Sequence, residues 1–270
     1  MKVKRSLILT LVLMLLMSTS VFAITGKEVM DEAEGVLNEG DTMHALMGMD
    51  LIDEDGNVRE RTLEIWGMKY NKEEDLSQVV MEFQNPASIA GTRFLQVENK
   101  NRGDDKWIYL PGLGRVRRIA SDQGDDSFVG SDFTYDDLET RDVEEDNHQL
   151  LREEKLDKYE CYVVESIPKD KEEAQYAKRI SWVTKKHDIP VRVEMYSKKT
   201  NEIEKVLTIK QNIEKISGYW TVFNAIMEDK EADHKTRLYI KRNQSGQPFI
   251  EYDKKISPKR FTQRFLKQGR

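Results

Sequence analysis

The side chains of this sequence that could do acid–base chemistry are two pairs of neighbouring carboxylates, Asp104-Asp105 and Asp136-Asp137. Adjacent residues of a strand point to opposite faces, so such a pair rarely converges on one substrate. Roles in turns or solvated loops are therefore favoured. No Gly-x-Ser-x-Gly elbow, His-Glu-x-x-His motif or phosphate-binding glycine loop accompanies them. The sequence predicts a protein that is not an enzyme. A hydrolase would instead require Asp and His residues that converge in a polar cleft.

Metal ligation is not predicted either. The four histidines lack metal-binding spacing, and we expect surface or strand positions for them: His44, His148, His187 and His234. The segment from Asp53 to Glu64 carries oxygen-bearing side chains at calcium-loop spacing, but Val58 stands where that loop requires glycine. The Asp-Gly dipeptide of this segment is instead typical of a hairpin. We therefore predict no metal and no cofactor.

The N-terminal residues have the pattern of an export signal. A basic start is followed by an uncharged apolar run from Leu7 to Met17, and Val21-Phe22-Ala23 supplies the small residues of a cleavage site. The run is too short for a membrane-spanning helix, which needs about 20 residues. We predict that residues 1–23 are a signal peptide, cleaved after Ala23, and that the protein is exported.

Composition limits the function of residues 24–270. Removing the three basic residues of the signal leaves 40 basic against 49 acidic residues, a net charge of −9, and so gives no basic excess for nucleic acid. No proline- or glycine-rich linker divides this part, which predicts one domain. The single cysteine, Cys161, excludes an intramolecular disulfide, and its apolar surroundings indicate a buried structural thiol.

Helix signals are confined to the two ends of residues 24–270. Thr25 and Glu28 form a capping box in front of an apolar stripe. The segment 258–266 places its apolar residues on one helical face, with Ser257 as the expected N-cap.

Between these helices, apolar residues mostly alternate with period two, and turn residues separate the runs. Many strands joined by short turns predict a mainly β fold with a single curved antiparallel sheet. Besides the Arg115–Ile119 run, the predicted strands are residues 43–51, 58–70, 76–83, 92–98, 106–110, 161–167, 178–184, 191–196, 203–213, 219–228 and 236–241.

Several strands are apolar on both faces, whereas a solvated sheet is polar on one. A helix, a loop, a ligand or a partner must therefore cover the second face. Methionine is frequent in the first three strands and suits a site that adapts to varied apolar shapes, although ordinary core filling also explains a single methionine. Together with nearby aromatic residues it indicates an apolar cavity. The predicted lining is Met43, Met47, Met49, Trp66, Met68, Met81, Phe83, Phe94, Trp107, Tyr109, Leu113, Phe128 and Phe133.

Three arginines are candidates for anion contacts at the mouth of this cavity: Arg93, Arg115 and Arg117. On a strand, Arg115 and Arg117 share a face, and a lipid phosphate is one anion that they could bind. The alternative is structural pairing, for Arg115 and Arg117 with the acidic residues between Asp122 and Asp137.

One region carries a resemblance to a known family. Its blocks are Gly91-Thr92-Arg93-Phe94-Leu95, the run from Asp104 to Pro111, the run from Arg115 to Ile119, and the run from Ser127 to Leu138. In order and spacing these blocks resemble the outer-membrane lipoprotein-sorting, or LolA-like, family. The resemblance implies an incomplete antiparallel β-barrel over residues 24–270, with a few short helices covering its concave face.

The resemblance also implies a function. LolA-like proteins bind acyl chains of lipoproteins or related lipids in an apolar hollow and carry them toward the outer membrane. An inner-membrane exporter and an outer-membrane acceptor are the implied partners, with no nucleic acid. An alternative stays open, in which the protein is a non-enzymatic periplasmic adaptor that docks an envelope transporter or an outer-membrane partner.

Overall fold

A computed structural model describes residues 24–37, 40–100, 102–209 and 213–270, so the predicted signal peptide lies outside the described residues. Within them the chain forms two α-helices, α1 (Gly26–Leu37) and α2 (Gln263–Gln268), and sixteen strands. No helix of these ranges is long and apolar enough to cross a membrane.

The strands alternate with short turns along the chain. Their bounds are β1 (Thr42–Ile52), β2 (Val58–Asn71), β3 (Leu76–Asn85), β4 (Arg93–Val97), β5 (Asp105–Leu110), β6 (Arg115–Ile119), β7 (Asp146–Leu156), β8 (Tyr159–Pro168), β9 (Lys178–Thr184), β10 (Pro190–Tyr196), β11 (Ile203–Ile209), β12 (Ile213–Ile216), β13 (Tyr219–Val222), β14 (Asn224–Asp229), β15 (His234–Ile240) and β16 (Ile250–Tyr252).

Fourteen strands form one antiparallel sheet in the order β6-β5-β4-β3-β2-β1-β15-β14-β11-β10-β9-β8-β7, with β16 added beside β1. Strands β12 and β13 form a separate pair. The sheet is open, because β6 and β7 are its two edges. This confirms the prediction of a mainly β, open antiparallel sheet. Residues 120–145, hereafter the crossover segment, connect one edge strand to the other and contain four short 3-10 turns.

The sequence prediction missed β7, β16 and all of β12 except its first residue, and two predicted strands are interrupted. Strand β7 is an edge strand with mostly polar or charged residues, and its pairing shifts register between Leu150 and Arg152. Charges and bulges are common on edge strands because they discourage pairing with other chains. They also disrupt the alternation of apolar and polar residues from which a strand is predicted. Strand β16 has three residues. Residues 219–228 break at Phe223, and the predicted strand 203–213 passes through residues 210–212, outside the described part.

Helix α1 begins with the predicted capping box. The Glu28 carboxylate accepts a hydrogen bond from the Thr25 backbone N–H at 2.7 Å, and the Thr25 hydroxyl accepts one from the Glu28 N–H at 3.2 Å. Val29 and Ala33 of this helix pack against Val164 and Val183 of the sheet. We call the sheet face that α1 covers the inner face. The crossover segment lies on the same face, since cross-strand partners point to the same side.

The C-terminal segment covers the opposite, outer face. The predicted continuous helix from Pro258 is wrong, because a 3-10 turn over Pro258–Arg260 ends before α2 begins. The Thr262 hydroxyl caps α2 by accepting a hydrogen bond from the Phe265 N–H at 3.1 Å, whereas the Ser257 side chain makes no cap bond. The apolar residues of this segment pack on Trp66, Val80 and Leu95. A helix therefore provides the second cover that the two-sided strands require.

Removing the Phe265 ring tests this cover. Phe265 is 4 % exposed, so Phe265→Ala should lower the free energy of unfolding by about 3–5 kcal/mol, the usual cost of truncating a buried phenylalanine. Phe249, which is 46 % exposed, provides the matched control, and Phe249→Ala should cost less than about 1 kcal/mol. Urea denaturation of both variants measures the difference. Equal losses would mean that α2 does not stabilise the outer face.

Candidate functional site

The register of the sheet divides the predicted cavity lining between its two faces. Eight of the thirteen residues lie on the inner face or pack on it: Met43, Met47, Met49, Met81, Phe83, Phe94, Phe128 and Phe133. Four pack with the C-terminal segment on the outer face: Trp66, Met68, Trp107 and Tyr109. Leu113 is 59 % exposed in the turn between β5 and β6. One cavity cannot be lined by all thirteen, because the sheet itself separates the two groups.

The aromatic part of the inner group is a filled core. Phe128 of the crossover segment has its ring centroid 5.9 Å from that of Phe83 and 5.3 Å from that of Phe94. Tyr135 lies 5.7 Å from both Phe94 and Phe128. All four side chains are buried, and these spacings are those of directly packed aromatic pairs. No space for a ligand separates these rings while the crossover segment lies on the sheet.

The other part of the inner face is only partly covered. Met49 and Leu51 at the end of β1 are fully buried, but Met43 and Met47 nearer its start are half-buried. Strand β3 shows the same gradient. We call seven of the half-buried apolar residues of this face, on the central strands, the methionine strip. Its members are Met43, Met47, Val79, Met81, Val193, Leu207 and Leu238. Its residues belong to β3, β1, β15, β11 and β10, and they form the candidate apolar binding surface.

The end of the crossover segment that packs on the phenylalanines is a tight turn. The Phe128 backbone N–H donates to the Phe133 carbonyl at 2.7 Å. Between them Val129 has φ 51° and Gly130 has φ 73°, and a left-handed conformation is strained for a β-branched residue. Arg61 of β2 donates to the Val129 carbonyl at 2.6 Å. This contact ties the strained turn to the inner face, and burial lowers the Arg61 pKa.

Buried polar groups hold the crossover segment to β11 and β15. The Thr236 hydroxyl accepts from the Asp132 N–H at 2.9 Å and donates to the Asp132 carboxylate at 2.6 Å. His234 Nδ1 lies 2.8 Å from the same carboxylate, and Lys205 Nζ donates to the Asp132 carbonyl at 2.8 Å. We call Asp132, Lys205, His234 and Thr236 the polar pin. Because a buried carboxylate is costly unless it is paired, these contacts fix where the segment lies.

A second buried pair holds the following turn of the crossover segment. Lys106 on the inner face of β5 contacts Asp136 and lies 2.6 Å from Glu139, and its side chain is 7 % exposed. Burial raises the pKa of Glu139 to about 7, and the Lys106 ammonium opposes that shift without cancelling it.

The predicted arginines have different roles. Arg93 points to the outer face, pairs with Glu82 at 2.7 Å and donates to the Leu266 carbonyl of α2 at 3.0 Å. It is thus a structural contact of the C-terminal cover. Arg115 and Arg117 are exposed on edge strand β6 and share the inner face, as predicted. The neighbouring Arg118 pairs with Asp105, outside the acidic stretch that the sequence suggested.

The carboxylate pairs do not converge. Asp136 contacts Lys106, whereas Asp137 accepts from Tyr176 at 3.0 Å and faces Lys205. The turn-forming role that the sequence favoured is present as well, because Asp137 accepts from the Thr134 N–H at 2.9 Å and Asp104 accepts from the Asn99 N–H at 3.3 Å. Within the described ranges no three His, Cys, Asp or Glu side chains come together as a metal site. Cys161 is fully buried, and burial raises the pKa of its thiol to about 11.

Sequence reasoning missed the polar pin. His234 was expected only as a surface or strand residue, and Lys205 and Thr236 carried no motif. Each of the three lies more than 70 positions from Asp132 along the chain. The only signal was the unusual block around Asp132, which marks one side of the pin but not its partners.

Comparison with known proteins identifies the class of this fold. A family model described as "Uncharacterized protein" matches residues 75–268, which are 194 of the 270 residues. The chain belongs to that family, and its fold is LolA-like. A search of curated proteins found no match.

Three solved structures are similar over most of the chain. A DUF1329 family protein from Desulfovibrio piger has 27 % identity and a TM-score of 0.81, covering 89 % of this chain and 97 % of its own. An outer membrane lipoprotein-sorting protein domain from Vibrio parahaemolyticus has 27 % identity and a TM-score of 0.80, covering 90 % and 98 %. A LolA superfamily protein from Nitrosomonas europaea shares the fold at 20 % identity and a TM-score of 0.65, covering 89 % and 98 %.

The polar pin can be tested by removing one hydroxyl. Thr236→Val keeps the side-chain shape but removes the hydroxyl that pairs with both the Asp132 N–H and the Asp132 carboxylate, which should cost about 1–3 kcal/mol of stability. The same change at half-buried Thr208 of β11 is the control. Hydrogen exchange should accelerate in residues 126–138 of the Thr236 variant before the rest of the sheet. Unchanged exchange there would show that the pin does not hold the segment.

The raised pKa of Glu139 predicts a pH dependence. Between pH 4.5 and about 7 the folded protein holds a proton on Glu139 that the unfolded chain has released. The free energy of unfolding should therefore fall as pH rises through this window and then level off, with a slope from this group of at most about 1.4 kcal/mol per pH unit. Denaturation of Glu139→Gln should lack this contribution, whereas exposed Glu173→Gln should keep it. Parallel curves for all three proteins would contradict the assignment.

Proposed function

We propose that the protein is a non-enzymatic periplasmic carrier that binds acyl chains of lipoproteins or other lipids on the methionine strip. The observation that supports the proposal is a set of half-buried apolar side chains on the inner face, beside the crossover segment that covers the rest of that face. The similar structure from Vibrio parahaemolyticus is described as a lipoprotein-sorting domain, which supports the same class of cargo here.

The chemistry of the strip suits an acyl chain. Three of its seven members are methionines, whose unbranched, polarisable side chains adjust to flexible apolar ligands. Each methylene removed from water contributes about 0.8 kcal/mol. A few contacts per chain therefore give useful affinity without specific polar groups, and cargo specificity stays low.

The filled aromatic core limits how deep an acyl chain can enter. A short chain can lie on the strip with the crossover segment in place. A longer one must displace Phe128 and its turn, which requires breaking the polar pin. Loading and release would then be controlled by the free energy of displacing this segment, with a predicted inner-membrane exporter and outer-membrane acceptor supplying or removing the cargo.

The experiment is a lipid-binding measurement on protein purified from its own envelope. Native mass spectrometry should detect a bound lipid or lipopeptide, and the delipidated protein should take up a fluorescent fatty acid. The double variant Met43→Gln/Met47→Gln keeps side-chain size but makes the strip polar, and should weaken binding about tenfold, which is about 1.4 kcal/mol. The control is Leu151→Gln on edge strand β7, where the side chain is 38 % exposed.

Two negative results of this experiment would lead to different conclusions. Unchanged affinity in the folded double variant would place the acyl site elsewhere. A clean apo mass together with no uptake by the wild-type protein would reject the carrier. The alternative function, an adaptor that docks an envelope transporter, would then be favoured.

A further inference from the structure

A second site lies on the outer face, away from the methionine strip. A cavity of about 410 Å³ opens beside β14 and β15, and its polar lining includes Asn224, Arg237, Tyr239, Lys241 and Arg242. Tyr239 packs across Gly48 of β1 so closely that a Cβ there would lie 2.1 Å from its ring. The Gly48 position therefore lets this ring form one wall of the cavity.

The positive charge of this cavity is concentrated at one end. Arg237 donates to Asp50 at 2.6 Å and is partly neutralised by it. Lys241 donates to the Thr62 hydroxyl at 3.1 Å and Arg242 to the Gly246 carbonyl at 2.8 Å. Neither of the last two forms an ion pair with a carboxylate of the described part of the chain. Two cations with only neutral partners attract an anion.

Two buried atoms of the cavity have no hydrogen-bond partner among the described residues: Arg237 Nε, a donor, and Asn224 Oδ1, an acceptor. Buried polar groups are normally satisfied, so each of these atoms requires a partner from a ligand or from water. A fitting ligand must bring anionic oxygens for the cations and a hydrogen-bond donor for Asn224. A phosphodiester that carries a hydroxyl group supplies both.

An exposed aromatic residue at the edge of the site indicates the source of that phosphate. The Phe249 backbone N–H donates to the Lys241 carbonyl at 2.8 Å, so the two residues are cross-strand neighbours, and the Phe249 side chain is 46 % exposed. Cations beside an exposed aromatic ring are the combination that binds a membrane interface. We propose that this outer-face pocket binds the headgroup of an anionic, hydroxyl-bearing phospholipid at a membrane surface.

The test compares vesicles with soluble probes. The protein should bind vesicles that contain phosphatidylglycerol and not those of phosphatidylcholine alone. Lys241→Gln/Arg242→Gln should weaken vesicle binding roughly thirtyfold, as expected for two interfacial cations. The control Lys198→Gln/Lys199→Gln removes the same charge from an exposed turn and should change binding less than about twofold. Phe249→Ser should weaken binding to vesicles but not to glycerol 3-phosphate.

Three outcomes would overturn the proposal. Equal losses in the two lysine-containing double variants would reveal a non-specific charge effect. Absent binding of the wild-type protein to anionic vesicles would reject the membrane site. Binding of inorganic phosphate or glycerol 3-phosphate without vesicle binding would make the pocket a site for soluble phosphates. Acyl-chain uptake by the Lys241/Arg242 variant should stay unchanged, so this proposal and the carrier proposal fail independently.

Discussion

The contact on which the inner face depends is the buried pairing of Asp132 with Thr236, His234 and Lys205. The sheet is open at both edges, and the chain between those edges must cross its inner face. Burial of the Asp132 carboxylate is tolerated only where hydrogen-bond donors meet it. The donors belong to β11 and β15, so the crossover segment has one favoured position on the inner face. The aromatic core of Phe83, Phe94 and Phe128 forms as a consequence.

The outer face must also be covered and its cover held in place, but different contacts do this. A strand that is apolar on both sides needs two covers, and the second comes from the C-terminal segment. Arg260 places its guanidinium 3.9 Å from the centre of the Trp66 ring, and Arg93 donates to the Leu266 carbonyl of α2. Cation–π contacts and charge-assisted hydrogen bonds have preferred geometries, whereas apolar packing does not. These contacts therefore fix the position of the C-terminal segment on the sheet. The short α2 helix is held by these contacts more than by its propensity.

Local patterns predicted the local structure. The capping box at Thr25 and the alternation from Met43 to Leu51 depend on neighbours a few positions apart, and both were confirmed. Which face a strand turns inward depends on pairings and covers that are distant in sequence. The alternation within β2 therefore could not show that Trp66 lies on the opposite sheet face from Met43 of β1. Strand β7 was hidden because an edge strand is selected for charge as well as for pairing.

The two proposed sites lie on opposite faces of one sheet, and that arrangement has a physical consequence. Residues 24–270 carry a net charge of −9, so an anionic membrane repels the protein as a whole. The cations around Lys241 would attract this membrane locally, which would favour one orientation of an approaching molecule. The outer face would then meet the headgroups while the methionine strip faced away from them. A bound acyl chain would stay shielded by the crossover segment during such an encounter, and its transfer would require that segment to move.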